Sequence, residues 1–290
     1  MVSKNMNTAS PPSLSVAQAL AQAAHLGMAR VDAQMLLLHL MEQPVNARAW
    51  LITHDTDILS TEQQQRWADL CTQRQQGTPV AYLTGHKEFY GLNLAVDARV
   101  LDPRPDTETL VDWALELMPE ATATRVVDLG TGSGAIALAL QSQRPAAQVF
   151  AVDASADALV VAQSNAQQLK LPVQFAHGSW LEPLMGQPAF DLVVSNPPYI
   201  RADDPHLAAL THEPLSALAS GADGLEDIRA IIGQAPRVLK AGGWLLFEHG
   251  WDQATDVARL MQDAGFVQVQ HRQDLAGIDR CTGGQWPGRA

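Results

Sequence analysis

Val126-Val127-Asp128-Leu129-Gly130-Thr131-Gly132-Ser133-Gly134-Ala135 reads as an apolar strand, a loop with glycine at alternate positions, and the start of an apolar helix. Glycines at such a junction admit positive backbone angles and let a ligand approach the main chain. The free N–H groups of the helix start then face that ligand. The same glycines would also suit a compact turn with no ligand, but strand–loop–helix is the context that nucleotide-binding loops require. Asp153 ends the next β-rich run, where a carboxylate can accept both hydroxyls of a ribose. Gly130, Gly132 and Ala135 fit the dinucleotide spacing G-x-G-x-x-A, whereas Gly134 favours the loop that holds the methionine end of S-adenosylmethionine. Loop and Asp153 together indicate an adenosine-containing ligand and leave its identity open.

Outward from this loop, β-rich runs at 126–129, 149–152, 173–175, 190–195, 244–248 and 267–271 alternate with helical stretches. That alternation predicts a parallel sheet covered by helices on both faces. Upstream, 86–89 and 92–96 are expected to pair as a hairpin across Gly91. The rigid connector Pro103-Arg104-Pro105-Asp106-Thr107-Glu108 leads from it into a helix over about 107–118. The first 84 residues read as four or five short helices. Ser13 is expected to cap the first, with Val16, Leu20 and Ala24 on its buried face, and Gly27 to end it. A second helix is expected over 30–41, Pro44 in the first turn of a third, and a Ser60/Gln63 capping box opening a helix to about residue 76.

The fourth run of the alternating region ends in Asn196-Pro197-Pro198-Tyr199. In open parallel sheets ligands sit beyond the carboxyl ends of the strands, so this segment is expected at the same crevice as Gly130–Gly134 and Asp153. The Asn196 side-chain oxygen and the Pro197 carbonyl are two acceptors able to hold both hydrogens of a planar NH₂. The prolines stiffen the backbone and remove competing donors, and Tyr199 offers a flat face for stacking. Asn and Pro also occur in ordinary turns after strands. Here the position after the fourth strand of a glycine-loop domain selects methyl transfer to a planar nitrogen over dehydrogenation. An amide nitrogen is a weak nucleophile, so positioning is the main catalytic contribution required.

The chain has 290 residues, 47% hydrophobic and 17% charged, with 19 Lys+Arg against 31 Asp+Glu and a net charge of −12. Length and apolar content suit two domains and exclude disorder as the main state. Residues 1–84 carry 5 basic and 6 acidic side chains, and residues 85–290 carry 14 and 25, so the acidity belongs to the second region. This disfavours affinity built on neutralising many phosphates. It suits a partner that presents basic surface. Cys71 and Cys281 lack any CxxC or Cys/His spacing, so neither a disulfide framework nor a metal site is expected, and a reducing cytoplasmic setting is the expected compartment. The polar start lacks the apolar core of a secretion signal, and no apolar run approaches the roughly 20 residues that span a bilayer.

Taken together, Tyr82-Leu83-Thr84-Gly85, Glu88-Phe89, the Pro103–Glu108 connector, Asp128–Gly134, Asn196–Tyr199 and Gly221-Ala222-Asp223-Gly224-Leu225 make the chain resemble the release-factor glutamine N5-methyltransferase family over nearly its whole length. The connector discriminates best, since a sister family acting on a ribosomal-protein glutamine differs after its Pro-Arg. The resemblance implies an α/β, Rossmann-like class I methyltransferase domain at 108–290. Before it come a β-hairpin and linker at 85–107 and an all-helical substrate-recognition domain at 1–84. It implies S-adenosylmethionine as cofactor, S-adenosylhomocysteine as product, and the glutamine of the Gly-Gly-Gln loop of class 1 peptide chain release factors as substrate, with no direct nucleic-acid or membrane partner. By position, Gly130, Thr131, Gly132, Ser133 and Gly134 would contact the methionine part of the cofactor, Asp153 the ribose, and Trp180 the adenosyl pocket. Asn196 would also touch the cofactor, while Asn196, Pro197, Pro198 and Tyr199 would grip the amide, with Asn196 and Pro197 as its catalytic acceptors. Arg104 and Glu108 would brace the wall of the site or form a plain structural ion pair. Asp102 and His249 stand where the family pattern expects apolar residues. Methylation of an exocyclic base nitrogen uses the same tetrapeptide but lacks a Lys/Arg cluster with interleaved aromatics here. A non-catalytic adaptor would not need the glycine loop, Asp153 or the tetrapeptide.

Overall fold

The computed structural model describes residues 13–120 and 122–288 and divides into two compact units, residues 1–84 and 85–290. In the first, five helices are described: α1 (Val16–His25), α2 (Arg30–Leu40), α3 (Arg48–Thr53), α4 (Thr61–Gln75) and α5 (Val80–Thr84). Their core gathers Leu36, Leu37 and Leu38 of α2 around Trp67, Leu51 and Leu59. The cap of α1 is Ser15 rather than Ser13. Its side chain and that of Gln18 form a reciprocal capping box, which moves the buried stripe to Val16, Ala19 and Ala23. The expected box at Ser60 and Gln63 opens α4. Pro44 lies in the loop before α3, four residues upstream of the helix rather than in its first turn.

The second unit opens with the hairpin β1 (His86–Phe89) and β2 (Leu92–Ala95), turned at Gly91 with φ +77°. After a single 3₁₀ turn at Pro105–Thr107 come α6 (Glu108–Glu116), β3 (Arg125–Leu129), α7 (Ala135–Gln143), β4 (Gln148–Asp153), α8 (Ala156–Leu169) and β5 (Gln174–His177). Then follow β6 (Phe190–Ser195), α9 (Glu226–Gln234), β7 (Leu239–Glu248), α10 (Ala254–Asp263), β8 (Val267–Gln273) and β9 (Asp279–Gln285). The hairpin is fastened to α8 by Asn165, whose amide exchanges hydrogen bonds with both backbone groups of Ala95 (2.8 and 3.0 Å).

The main sheet has the order β5-β4-β3-β6-β7-β9-β8. Its first five strands are parallel, as the alternating pattern predicts, but β9 inserts antiparallel between β7 and β8, so the sheet is mixed. The reading of a wholly parallel sheet ending at 267–271 misses β9 because Gly283 and Gly284 look like a turn. They are glycines for space: a Cβ on Gly283 would collide with Leu246 and come 2.7 Å from the Trp113 ring of α6. Val126, Val127 and Leu129 of β3 are fully buried, as are Leu245, Leu246 and Phe247 of β7. Each such side chain contributes about 1.5–3 kcal/mol by leaving water. The chain runs from β3 outward to β5, then returns to lay β6 on the other side of β3. The carboxyl ends of β3 and β6 therefore flank the switch point where α/β sheets open a crevice.

Candidate active site

Three adjacent strand ends converge at that switch point. Leu129 of β3 is in register with Val152 of β4 and Ser195 of β6, so Gly130, Asp153 and Asn196 emerge side by side. The Ser195 hydroxyl donates to the Leu129 carbonyl (2.8 Å), and the Gly130 and Thr131 amides donate to the Val152 carbonyl (2.9 and 3.0 Å). A cleft of about 400 Å³, within the range of small-molecule sites, is lined by Gly130, Gly132, Asp153, Trp180, Asn196 and Pro198 among others.

The glycine loop is held from below. Asp128 is fully buried, and its Oδ2 accepts from the Thr131 hydroxyl (2.6 Å) and the Ala137 amide (3.2 Å). Burial pushes its carboxyl up to about 7, opposed by these two hydrogen bonds and assisted by the Asp153 charge. Gly130, Gly132 and Gly134 all have positive φ. A Cβ on Gly130 would press on the Trp180 ring at 3.3 Å, and one on Gly134, the residue before α7, would meet Leu138 at 3.0 Å. Thr131 and Ser133 are buried inside the loop, and Ser133 is fixed by Asn165, which donates to its carbonyl (2.9 Å).

Asp153 is oriented rather than consumed by its neighbours. One carboxylate oxygen accepts from the Gly132 amide (2.9 Å) and the other from the Ser155 amide (2.8 Å). Each oxygen has a second lone pair for another donor. The residues present therefore fit an adenosyl ligand: glycines that leave the main chain bare, a preoriented carboxylate, and the Trp180 ring. No group of three or more His, Cys, Asp or Glu side chains able to hold a metal ion occurs among the described residues.

The tetrapeptide has its own support. Asn196 Nδ2 donates to Thr107 Oγ1 (3.2 Å), and Pro197 is buried. Tyr199 and Ile200 donate through their amides to the Leu218 carbonyl (3.2 and 2.9 Å), and Gln253 Nε2 donates to the Tyr199 carbonyl (3.0 Å). Burial, then the Glu248 charge, pushes the Tyr199 phenol up to about 12. Asn196 and Pro198 line the cleft, whereas Tyr199 stands behind them.

Arg104 and Glu108 do not pair with each other. Arg104 Nη2 donates to both oxygens of Glu213 (2.6 and 2.8 Å), a carboxylate only 2% exposed whose pKa burial raises. Glu108 accepts from the Tyr90 amide (3.0 Å). Asp102 is buried against Lys87 (3.1 Å) and Arg104 (3.7 Å), so its departure from an apolar residue is matched by cations. His249 is a satisfied interior histidine: Nδ1 meets the Gly250 carbonyl (2.9 Å) and Nε2 the Thr282 hydroxyl (2.7 Å). Burial lowers its pKa.

Comparison with known proteins agrees with this architecture. Residues 14–85 match the family described as the PrmC N-terminal domain, and residues 107–222 match the Methyltransferase small domain. The chain is 49% identical over 273 residues to the release factor glutamine methyltransferase of Xylella fastidiosa strain Temecula1, covering 93% of this chain and 98% of that protein. The chain belongs to the release factor glutamine methyltransferase family. The Bordetella pertussis member is 46% identical over 260 residues, 89% of this chain and 95% of that protein. A methyltransferase from Pyrococcus furiosus shares the fold, with a TM-score of 0.54, 15% identity, and coverage of 79% of this chain and all of that one.

Several contributors around the site of this family member carry no signal in the sequence. Arg99, Val100, Leu101, Pro214, Ser216 and Ala217 wall the cleft, together with Asp227 of α9. Asp128 and Glu248 did carry a signal, each being an acidic residue directly beside a run of buried apolar strand residues.

Proposed function

We infer that this protein methylates the side-chain amide nitrogen of the glutamine in the Gly-Gly-Gln loop of class 1 peptide chain release factors, using S-adenosylmethionine in the cytoplasm. Membership of the release factor glutamine methyltransferase family carries the reading. The tetrapeptide Asn196–Tyr199 beside the glycine-loop cleft supports it. When bound, S-adenosylmethionine supplies an electrophilic methyl group on a sulfonium and leaves as S-adenosylhomocysteine.

The residues of the chain do the rest by positioning. Gly130 through Gly134 present bare backbone to the methionine end, Asp153 accepts the ribose hydroxyls, and Trp180 lines the adenosyl pocket. Asn196 Oδ1 and the Pro197 carbonyl accept the two hydrogens of the glutamine NH₂, which fixes the plane of the amide and aims its nitrogen. Held in this way, the amide nitrogen would face the methyl group that the cofactor supplies and would give up a proton to solvent as it is alkylated. No strong base is needed, because a nitrogen acquiring positive charge becomes acidic. Holding nucleophile and electrophile in line is the dominant contribution. The helical unit, which carries no catalytic constellation, serves substrate recognition. No described helix is long and apolar enough to cross a membrane.

The test is incubation with isotope-labelled cofactor and a purified release factor, followed by mass mapping. The label is expected on the glutamine of the Gly-Gly-Gln loop; label elsewhere, or none, refutes the reading.

A further inference from the structure

Glu248 ends β7 and is 2% exposed, yet it lies next to the strand end that carries Asn196, because Phe247 is in register with Ser195. A carboxylate at that depth requires donors. The Thr107 hydroxyl, Arg280 of β9 and the Asn196 amide all favour its charge. Asp106, in the turn before α6, opposes that charge, and Tyr199 and Cys281 both respond to it. Thr107 is itself 4% exposed, and its oxygen accepts from Asn196 Nδ2.

The direction of this chain follows from donor and acceptor capacity. An ionised carboxylate can only accept. Thr107 therefore gives its hydroxyl proton to Glu248 and receives the Asn196 N–H on its lone pair. With Nδ2 committed to the interior, Oδ1 is the end of the Asn196 amide left for the cleft. Nothing in an isolated asparagine distinguishes its two ends by shape; the buried acceptor chain behind it does.

We propose that Glu248 and Thr107 are positioning residues that hold the Asn196 amide with its oxygen toward the cleft, where it receives the NH₂ of the substrate glutamine. The proposal rests on the methyl-transfer reading given above. Protonated Glu248 becomes a donor to Thr107, and the order of donors that fixes the amide is lost. Burial puts that protonation at about 7, with Thr107, Arg280 and Asn196 lowering it and Asp106 raising it. Glu248 Oε2 is buried and has no hydrogen-bond partner, which adds to the cost of keeping the charge there.

The experiment compares full-length wild type with Thr107→Val, Thr107→Ser and Glu248→Gln. Loss of an orienting hydrogen bond is expected to lower kcat on the order of tenfold or more in Thr107→Val, with cofactor affinity by calorimetry unchanged. Thr107→Ser, which restores the hydroxyl, should return kcat to near wild type. The wild-type pH profile should show an acid limb near 7 that Glu248→Gln abolishes. Independently of activity, the Asn196 side-chain NH₂ signal in ¹⁵N spectra, assigned by its absence from Asn196→Asp, should titrate over the same range and stay fixed in Glu248→Gln. Wild-type kcat in Thr107→Val, equal impairment of Thr107→Ser, or an Asn196 signal indifferent to Glu248→Gln overturns the proposal. If wild type leaves the release factor unmethylated while the Asn196 signal still follows Glu248, the substrate reading fails and the orienting role stands.

Discussion

Replacing Gly224 with alanine tests whether the tetrapeptide Asn196–Tyr199, proposed to grip the substrate amide, is held by the loop behind it. Gly224 has φ +76°, and a Cβ there would collide with the Tyr199 carbonyl oxygen and lie 2.7 Å from Gln253 Nε2. The left-handed backbone alone costs an alanine about 1–2 kcal/mol. Relieving the collision separates the Tyr199 carbonyl from Gln253, whose 3.0 Å hydrogen bond contributes roughly 0.5–1.5 kcal/mol. The sum is about 1.5–3.5 kcal/mol. At roughly 2–4 °C per kcal/mol for a unit of this size, Tm should fall by about 3–14 °C. Activity should suffer more than stability, because a displacement of about 1 Å in a positioning segment can cost on the order of a hundredfold in rate. Cofactor affinity should hold, since Gly130 follows β3 and Asp153 ends β4, and a Cβ on Gly224 would meet Tyr199 and Gln253 instead. Thermal melts, calorimetry with S-adenosylmethionine and single-turnover transfer rates at a temperature well below both melting points separate these effects. A variant with wild-type Tm and wild-type rate would refute the backing role. Equal losses of cofactor binding and rate would point to general loosening instead.

Three further outcomes are expected. Asp153→Ala should weaken S-adenosylmethionine binding, because it would remove the acceptor proposed for the ribose and free the Gly132 amide it orders; native affinity by calorimetry would exclude the contact. Arg104→Ala leaves the buried Glu213 carboxylate without its cation and beside the Asp102 charge. The cost should be on the order of 2 kcal/mol, below the roughly 3–5 of a fully buried pair because Arg104 is 39% exposed, and adding Glu213→Gln should recover most of it in denaturant melts. His249 has a folded pKa below its ordinary 6.5. As pH falls through 6.5 the unfolded chain binds a proton that the folded chain refuses, and stability declines. His249→Gln should flatten that acid-side decline in pH-dependent melts, and an unchanged slope would count against a buried neutral imidazole.

The amino-acid sequence by itself determined the elements whose cause is local. A buried strand of Val126, Val127 and Leu129 running into alternate glycines fixes a strand–loop–helix, and Ser60 with Gln63 fixes a helix start, because both depend on residues a few positions apart. The succession of strands likewise predicted that Asp153 and Asn196 would stand near Gly130. Where the signal was local but ambiguous the reading slipped: Ser13 and Ser15 both precede α1, and only Ser15 has a glutamine three residues on. The tertiary structure alone decided what depends on distant partners. Gly283 reads as a turn until Trp113 and Leu246 are seen to leave no room for a side chain, and with that β9 enters the sheet antiparallel. Arg104 meets Glu213 across 109 positions, a pairing no spacing rule supplies. Thr107, Asn196 and Glu248 come from a connector and two separate strands, and they act as one chain of donors and acceptors only because β6 and β7 lie in register. Charge, periodicity and motif are properties of neighbours along the chain; burial and desolvation, which give Glu248 and Asp128 their altered acidity, are properties of neighbours in space.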